Sequence, residues 1–417
     1  MMRKSLWLVA IVLILVACGA ENVPVLTPPA GDTCSDCVIQ SARLDGDYVS
    51  IPYVGDIWTT TWANDDNLYA AFGDATGMNG CFPTLLMNET DEFDADYIEV
   101  SPGLYTVADK NNEYCEVFSC DAPLPLCQYT PAGLVRLSGN VPRFAPCDGP
   151  DQCVVSRHLP YGDMSVIENS DKPSSVVSVS GRMYMPMHYP PGKPTLGYLA
   201  YSDDNGRTWQ KIPNSPWGAD SHFRVLMFIN MGQDYRLNED GYLYGLGIDG
   251  EVADPPQLEP IYLTRVRRAA DGASAADDPV LKYANYQYFT GTDENGQPKW
   301  SSDQNEAVPL NGLETLAQAS AMYHPDLRRY LFLSGWVGEA PGTSAGVAGV
   351  SDNVLVGALY EAAKPWGPWH KVAFFPGGFI ANMFPKGTTP DGLYFAAAGG
   401  GGLTYNLNVG HLKLTTR

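Results

Sequence analysis

Apolar and aromatic residues come in short runs along this chain, and each run is entered through a turn of Asp, Asn or Gly. Five runs share one shape: NDDNLYAAFGD (64–74), SVSGRMYMPMHY (178–189), NEDGYLYGLGIDG (238–250), HPDLRRYLFLSGW (324–336) and TPDGLYFAAAGGG (389–401). In each, turn residues lead into an apolar strand that carries a tyrosine, and small residues follow. A second candidate strand precedes each run: TTTWA, SSVVSV, FRVLMFI, ASAMYH and FIANMFP. Outer strands follow most of them, at 196–212, 260–268, 353–372 and 410–416. Short strands broken by turn residues predict an all-β protein. Five such units predict a five-bladed β-propeller, with the first strand of each blade lining the centre. The spacing of the units is uneven, so the shared pattern carries this expectation rather than a strict period. A two-sheet sandwich with a second domain is the alternative. No long segment has a helical period; only 314–320 (ETLAQAS) reads as a helical turn or two.

The N-terminus breaks the pattern. Arg3 and Lys4 precede an apolar run over 6–17 that ends Leu15-Val16-Ala17-Cys18. Such a run falls short of the ~20 residues a spanning helix needs. Its flanks fit an export signal, and the residues before Cys18 resemble a bacterial lipobox. Residues 1–17 are therefore expected to be a lipoprotein signal peptide, with Cys18 the lipidated residue. Residues 18–43, with their prolines and glycines, are expected to be a flexible tether. Residues 44–417 would be the propeller. The protein is expected outside the cytoplasm, lipid-anchored to the cell envelope, as a monomer.

Cysteine usage agrees with export. Besides Cys18 there are Cys34, Cys37, Cys81, Cys115, Cys120, Cys127, Cys147 and Cys153, and none follows. An even number in an exported chain predicts disulfides. Residues 75–153, rich in Cys and Pro, read as a disulfide-held insertion in the first blade. The Cys34-x-x-Cys37 spacing also suits a redox or zinc half-site. No second CxxC and no His-x-x-x-His follows, so no metal is expected there. No cofactor is expected to be required. A structural calcium ion among the acidic loops is left open, although no EF-hand spacing supports it.

Charge narrows the partners. The chain has 47 acidic and 26 basic residues, a formal net charge of −21. Nucleic-acid binders carry a basic footprint instead. The same balance disfavours docking on an anionic bilayer, leaving the lipid anchor as the membrane contact. The expected partner is a polysaccharide or oligosaccharide.

Two local motifs sharpen the fold. Ser202-Asp-Asp-Asn-Gly-Arg-Thr-Trp209 has the form S-x-D-x-G-x-T-W, an Asp-box hairpin in which Ser and Asp side chains bond the loop backbone. Lys364-Pro-Trp-Gly-Pro-Trp369 reads as the turn of an outer hairpin.

The candidate chemistry lies in 55–74. Asp56 and Asp74 each follow a glycine and bracket a strand pair containing Trp58 and Trp62. Two carboxylates are the minimum equipment for acid-catalysed cleavage of a glycosidic bond. Most Asp-Gly neighbours are turn residues, so the motif alone does not decide. Residues near the starts of inner strands from several blades can meet in one pocket. On that logic Lys172, Asp220, His222, Arg224, Gln318, Ser320 and Asn382 join the candidates. Asp220, His222, Arg224 and Asn382, with Trp58 and Trp62 as ring platforms, are expected to bind substrate. No G-x-S-x-G elbow, H-E-x-x-H helix, P-loop or dinucleotide fingerprint is present.

The pattern G-D-x-W-x-x-T-W-A-x-D-x-x-L-Y-x-x-x-G-D at 55–74 resembles a family of secreted bacterial five-bladed propellers. Its characterised members are endo-D-arabinanases, glycoside hydrolase family 183, which cleave the arabinan of mycobacterial-type cell walls. The resemblance continues more weakly through the Asp-box, HPDLRRYLFLSGW and FIANMFP, covering most of 45–415. It implies that two first-blade aspartates act as the acid/base pair, Asp56 and Asp74 by motif position. The cysteine-rich segment beginning ATGMNGC does not align with that pattern. The expectation is an exported glycoside hydrolase acting on a furanoside such as D-arabinan. The alternatives are a surface propeller that binds glycan without cleaving it, and, ranked last, a sialidase-like exo-glycosidase. The last would need an arginine cluster and repeated Asp-boxes.

Overall fold

A computed structural model describes residues 34–75, 96–101, 104–108, 114–119, 130–145, 153–157, 171–188, 196–250, 257–341, 353–399, 403 and 406–417. The expected signal peptide, Cys18, Cys81, Cys120, Cys127 and Cys147 lie outside these residues. The protein is all-β. The described residues include three-residue 3-10 turns such as Gln233–Tyr235, and none of their helices is long and apolar enough to cross a membrane.

The first sheet orders Val154–Arg157, Thr130–Leu137, Leu68–Ala75 and Asp56–Trp62. The second carries Lys172–Pro173 and Val177–Val179, both on Arg182–His188, followed by Tyr198–Ser202 and Gln210–Lys211. A nine-stranded sheet follows. One half runs outward from Val225–Asn230 through Tyr242–Ile248 and Tyr262–Arg267. The other runs from Ser320–His324 through Arg329–Pro341, Asn353–Ala362 and His370–Pro376. The last sheet runs from Ile380–Met383 through Gly392–Ala398 to Asn406–Thr416.

The structure corrects four expectations. The third and fourth units are joined into one sheet, because Val225–Asn230 and Ser320–His324 pair in parallel at Ile229↔Ala321 and Asn230↔Met322. The tether does not reach residue 43. Ile39–Leu44 and Val49–Val54 both pair with Asn406–Thr416, so the chain's start completes the last sheet. Glu361 fixes that start by accepting the backbone N–H groups of Val38 and Ile39 at 2.6 and 2.8 Å. Residues 75–153 are not wholly an insertion either, since Thr130–Leu137 is the third strand of the first sheet. Finally, 314–320 is extended rather than helical: Glu314–Thr315 pairs with Glu259–Pro260, and Ser320 opens a strand. Of the expected disulfides, Cys34–Cys37 is present and Cys153 is also disulfide-bonded.

The strand that leads each unit is largely buried, and three of them, Asp56–Trp62, Val177–Val179 and Ile380–Met383, are sheet edges among the described residues. A buried edge leaves backbone groups that need partners. Short polar side chains supply them. Thr59 and Thr61 hydroxyls accept the N–H groups of Val176 and Ser178, at 3.3 and 2.8 Å. Ser175 donates to the Leu226 carbonyl and accepts the Phe228 N–H. Ser320 accepts the Met383 N–H, and Thr60 donates to the Met383 carbonyl. Apolar clusters fill the space between sheets; Trp58, Phe72, Phe384 and Leu407 pack between the first and last.

The Ser202–Trp209 turn shows why an Asp-box holds its shape. Ser202 accepts the Gly206 N–H at 2.8 Å, Asp204 accepts both the N–H and the hydroxyl of Thr208, and the Trp209 indole donates to the Gly206 carbonyl. Burial pushes the Asp204 carboxyl up, but the Thr208 and Ser202 bonds outweigh it and hold the group below its usual range.

His324 closes an inner strand and is fully buried. Burial penalises its charged form and holds its pKa below the ordinary histidine value. The unfolded chain therefore binds a proton more readily below pH ~6.5, so this contribution to stability is present above that pH and is lost as pH falls. Denaturant unfolding at stepped pH values should show stability falling as pH drops below ~6.5, and His324→Gln should flatten that slope. An unchanged slope in the variant would remove His324 as its source.

Candidate active site

Gly55, Asp56, Ile57 and Trp58 enter the first inner strand through a tight irregularity. Ile57 and Trp58 have φ of 68° and 48°, and Gly55 has 143°. A β-branched residue in the left-handed region is rare, and such positions cost roughly 1–3 kcal/mol each. The ladder with Leu68–Ala75 slips between Asp56 and Thr59 as a result. Three contacts keep the turn in place. The Trp58 indole donates to the Gly55 carbonyl at 2.8 Å. Its rings pack on Phe72 with centroids 5.4 Å apart. From the last sheet, the Asn382 amide donates to the Ile57 carbonyl at 2.5 Å.

The turn delivers Asp56, which is 1% exposed. Asp56 pairs with Gly73, and a Cβ at Gly73 would lie 2.7 Å from Asp56 Oδ1 and 2.8 Å from Ile57 Cδ1. Gly73 is thus the space the carboxylate occupies. Asp74 is the next residue, so strand geometry puts the two aspartate Cα atoms roughly 6 Å apart. The side chain of Asp74 lies outside the described residues.

Buried amides link the strands that lead different units. Gln318 donates to the carbonyls of Pro173 and Ser174, at 3.1 and 2.8 Å, and Asn230 reaches the Thr60 carbonyl at 3.0 Å. Gln318 is fully buried and holds backbone carbonyls rather than standing at the surface. Ser320 is spent on the Met383 N–H.

The expected substrate contacts divide. Trp58 has no exposed surface; it clamps the strained turn and offers no face to a sugar. Asn382 is 1% exposed and holds the Ile57 carbonyl. Trp62 closes the far end of its strand, where its indole donates to Asp66 at 2.8 Å and the Lys386 ammonium lies 5.5 Å from its ring. Lys386, and then Trp62, hold the Asp66 carboxyl below its usual range. Over a seven-residue strand the two ends lie roughly 20 Å apart, so Trp62 stands far from Asp56.

His222 stacks on Tyr262 with centroids 3.9 Å apart and bonds Asp249 at 2.7 Å. Tyr262 belongs to the third strand of its half-sheet, so His222 stands outward from the centre. Arg224 immediately precedes an inner strand and donates to the Ala219 carbonyl, while Asp220 is an exposed turn residue. Nearby Glu259, which the sequence reading missed, has its carboxyl pushed up by burial and then by Asp249, against the pull of Arg224.

A second missed group adjoins the first sheet. Asp171 is fully buried and accepts the Tyr198 hydroxyl at 2.5 Å. Ser174 and His188 share a hydrogen bond of 2.9 Å. Lys172, between Asp171 and Pro173, is half-buried and pairs with His188. The segment Lys172–Pro173 packs against Leu68–Ala75, the strand that holds Gly73 and Asp74. Lys172 was the only one of these residues the strand-start logic singled out.

An all-β domain thus holds a buried carboxylate on a strained turn at the start of the strand Asp56–Trp62. The chain belongs to the DUF4185 family, a domain of unknown function, whose profile matches residues 55–340 and begins at Gly55. No curated protein matches the sequence. Among solved structures, the chain is similar to a GH43_1 enzyme from Xanthomonas citri, at 12% identity and a TM-score of 0.42 over 88% of this chain and 90% of that one. It is also similar to a glycosyl hydrolase from Bacteroides ovatus, at 13% identity and a TM-score of 0.34 over 89% and 94%. A third similar structure, a protein of unknown function from Dyadobacter fermentans, has 11% identity and a TM-score of 0.39 over 90% and 99%.

The assignment of Asn382 is testable. Asn382→Ala should leave the Ile57 carbonyl buried without its donor and cost about 1–3 kcal/mol in denaturant unfolding. Unchanged stability with weakened glycan binding would return Asn382 to the substrate.

Proposed function

We propose that this protein is an exported glycoside hydrolase, built as a five-bladed β-propeller, that cleaves a furanoside polysaccharide such as D-arabinan. Asp56 and Asp74 are its acid/base pair, and Cys18 carries the lipid that holds it at the cell envelope. The observation that carries this reading is the turn at Asp56. Two non-glycine residues in the left-handed region, an indole clamp and a side-chain-free Gly73 all serve to seat one carboxylate. Strain of this kind is retained where a group must be held in one place. The motif at 55–74, with its resemblance to endo-D-arabinanases, supports the choice of substrate. The five-blade reading is supported by the bonds between inner strands, which run from first to second, second to third, third to fourth, fourth to fifth and back to the first.

In this reaction one carboxyl group protonates the glycosidic oxygen as the bond to it breaks. The other takes a proton from the attacking water, or attacks the sugar itself. The separation of the two carboxyl groups decides between these courses.

Reducing-end release from a panel of glycans that includes D-arabinan tests the proposal. The mature protein should release new ends. Asp56→Asn and Asp74→Asn should each lower the rate by about 10²–10⁴-fold, the usual share of acid–base catalysis, with unchanged melting. Full activity in either variant would break the pair. Saturable binding with no release by the mature protein would make it a glycan-binding propeller instead.

A further inference from the structure

The Cys34–Cys37 disulfide lies against the third neighbour that its spacing lacked in the sequence. His370, from the strand His370–Pro376, brings an imidazole nitrogen to the two sulfurs, and all three atoms lie within 4.8 Å of one another. We propose that, once this disulfide is reduced, Cys34, Cys37 and His370 form a zinc-binding site.

The loop is held by bonds that do not depend on the sulfurs. Glu361 accepts the N–H groups of Val38 and Ile39. Arg329 donates to the Asp36 carbonyl at 3.1 Å. Arg417 donates to the carbonyls of Ser35 and Cys34, at 2.6 and 3.2 Å. Opening the disulfide therefore leaves both sulfurs beside His370. The opening consumes two electrons and two protons from a dithiol, which closes to a disulfide of its own.

Two thiolates with two residues between them and one imidazole are a usual zinc ligand set. Bonds of about 2.3 Å to sulfur and 2.0–2.1 Å to nitrogen put tetrahedral ligand atoms roughly 3.5–3.8 Å apart. The sulfurs, bonded at 1.98 Å, would separate on reduction while the imidazole nitrogen, within 4.8 Å of them, closes in. Each thiol releases its proton as it binds, and water takes the fourth position. Glu361 is the direct cross-strand partner of His370, which puts a carboxylate on the same side of the sheet. A neighbouring carboxylate is the common means of orienting a zinc-bound imidazole.

Cobalt(II) reports such a site through thiolate-to-metal absorption. The full mature chain would be reduced with dithiothreitol, freed of it by gel filtration without oxygen, and titrated with Co²⁺ and then Zn²⁺. The expected result is a thiolate–cobalt band that saturates at one equivalent, is displaced by zinc, and is absent from the oxidised protein. His370→Gln, with unchanged melting, should weaken binding about tenfold or more, the loss that changes around zinc ligands cause. Three results would overturn the site: no band from the reduced protein, undiminished affinity in His370→Gln, or a band that persists in Cys34→Ser/Cys37→Ser. The last would assign the metal to the other cysteines.

Discussion

Among the described residues the strands that lead the five units are largely buried, and each must satisfy its backbone there. Direct strand pairing does so only between Val225–Asn230 and Ser320–His324 among these neighbours. Elsewhere hydroxyls and amides bridge neighbouring strands. Thr59, Thr60, Thr61, Ser175 and Ser320 each bond a neighbouring strand's backbone, while Asn230 and Gln318 reach across the centre. These residues are all buried or nearly so. An unpaired buried backbone group costs about 1–3 kcal/mol, so the polar lining is what makes the assembly of sheets stable.

That constraint also builds the site. Asn382, one of the bridging side chains, bonds the carbonyl of Ile57 in the strained turn. The bond between the last sheet and the first therefore holds the residue next to Asp56. The chain's start contributes as well, because Ile39–Leu44 and Val49–Val54 complete the last sheet from its outer side. Placement of one carboxylate thus depends on strands some 325 residues apart in sequence meeting in register.

The strands and their turns were legible because alternation and turn residues are local. The hairpins at 64–74, 238–250 and 389–401 and the bonds of the Asp-box needed only neighbours a few residues away. What was not legible depended on backbone direction or distant partners. A Trp two residues after a Gly-Asp pair reads equally as sugar platform or core, and only the positive φ at Ile57 and Trp58 turns it inward. His222 sits three residues before a strand, as a pocket residue would, but it stands over the third strand of its half-sheet, stacked on Tyr262. Asp171 and His188 gave no signal, since their partners Tyr198 and Ser174 come from other turns of the chain. The CxxC at residues 34–37 showed half of a ligand set, and His370 lies more than 300 residues away.

The proposed chemistry stands or falls at Asp56. A crystal structure of Asp56→Asn with a D-arabinan oligosaccharide tests it most directly. A glycosidic oxygen should lie within hydrogen-bond distance, about 2.6–3.2 Å, of residue 56 or 74, with the other carboxyl position across the same bond. An oligosaccharide seated elsewhere, such as at the opposite end beside Trp62 and Lys386, would contradict it.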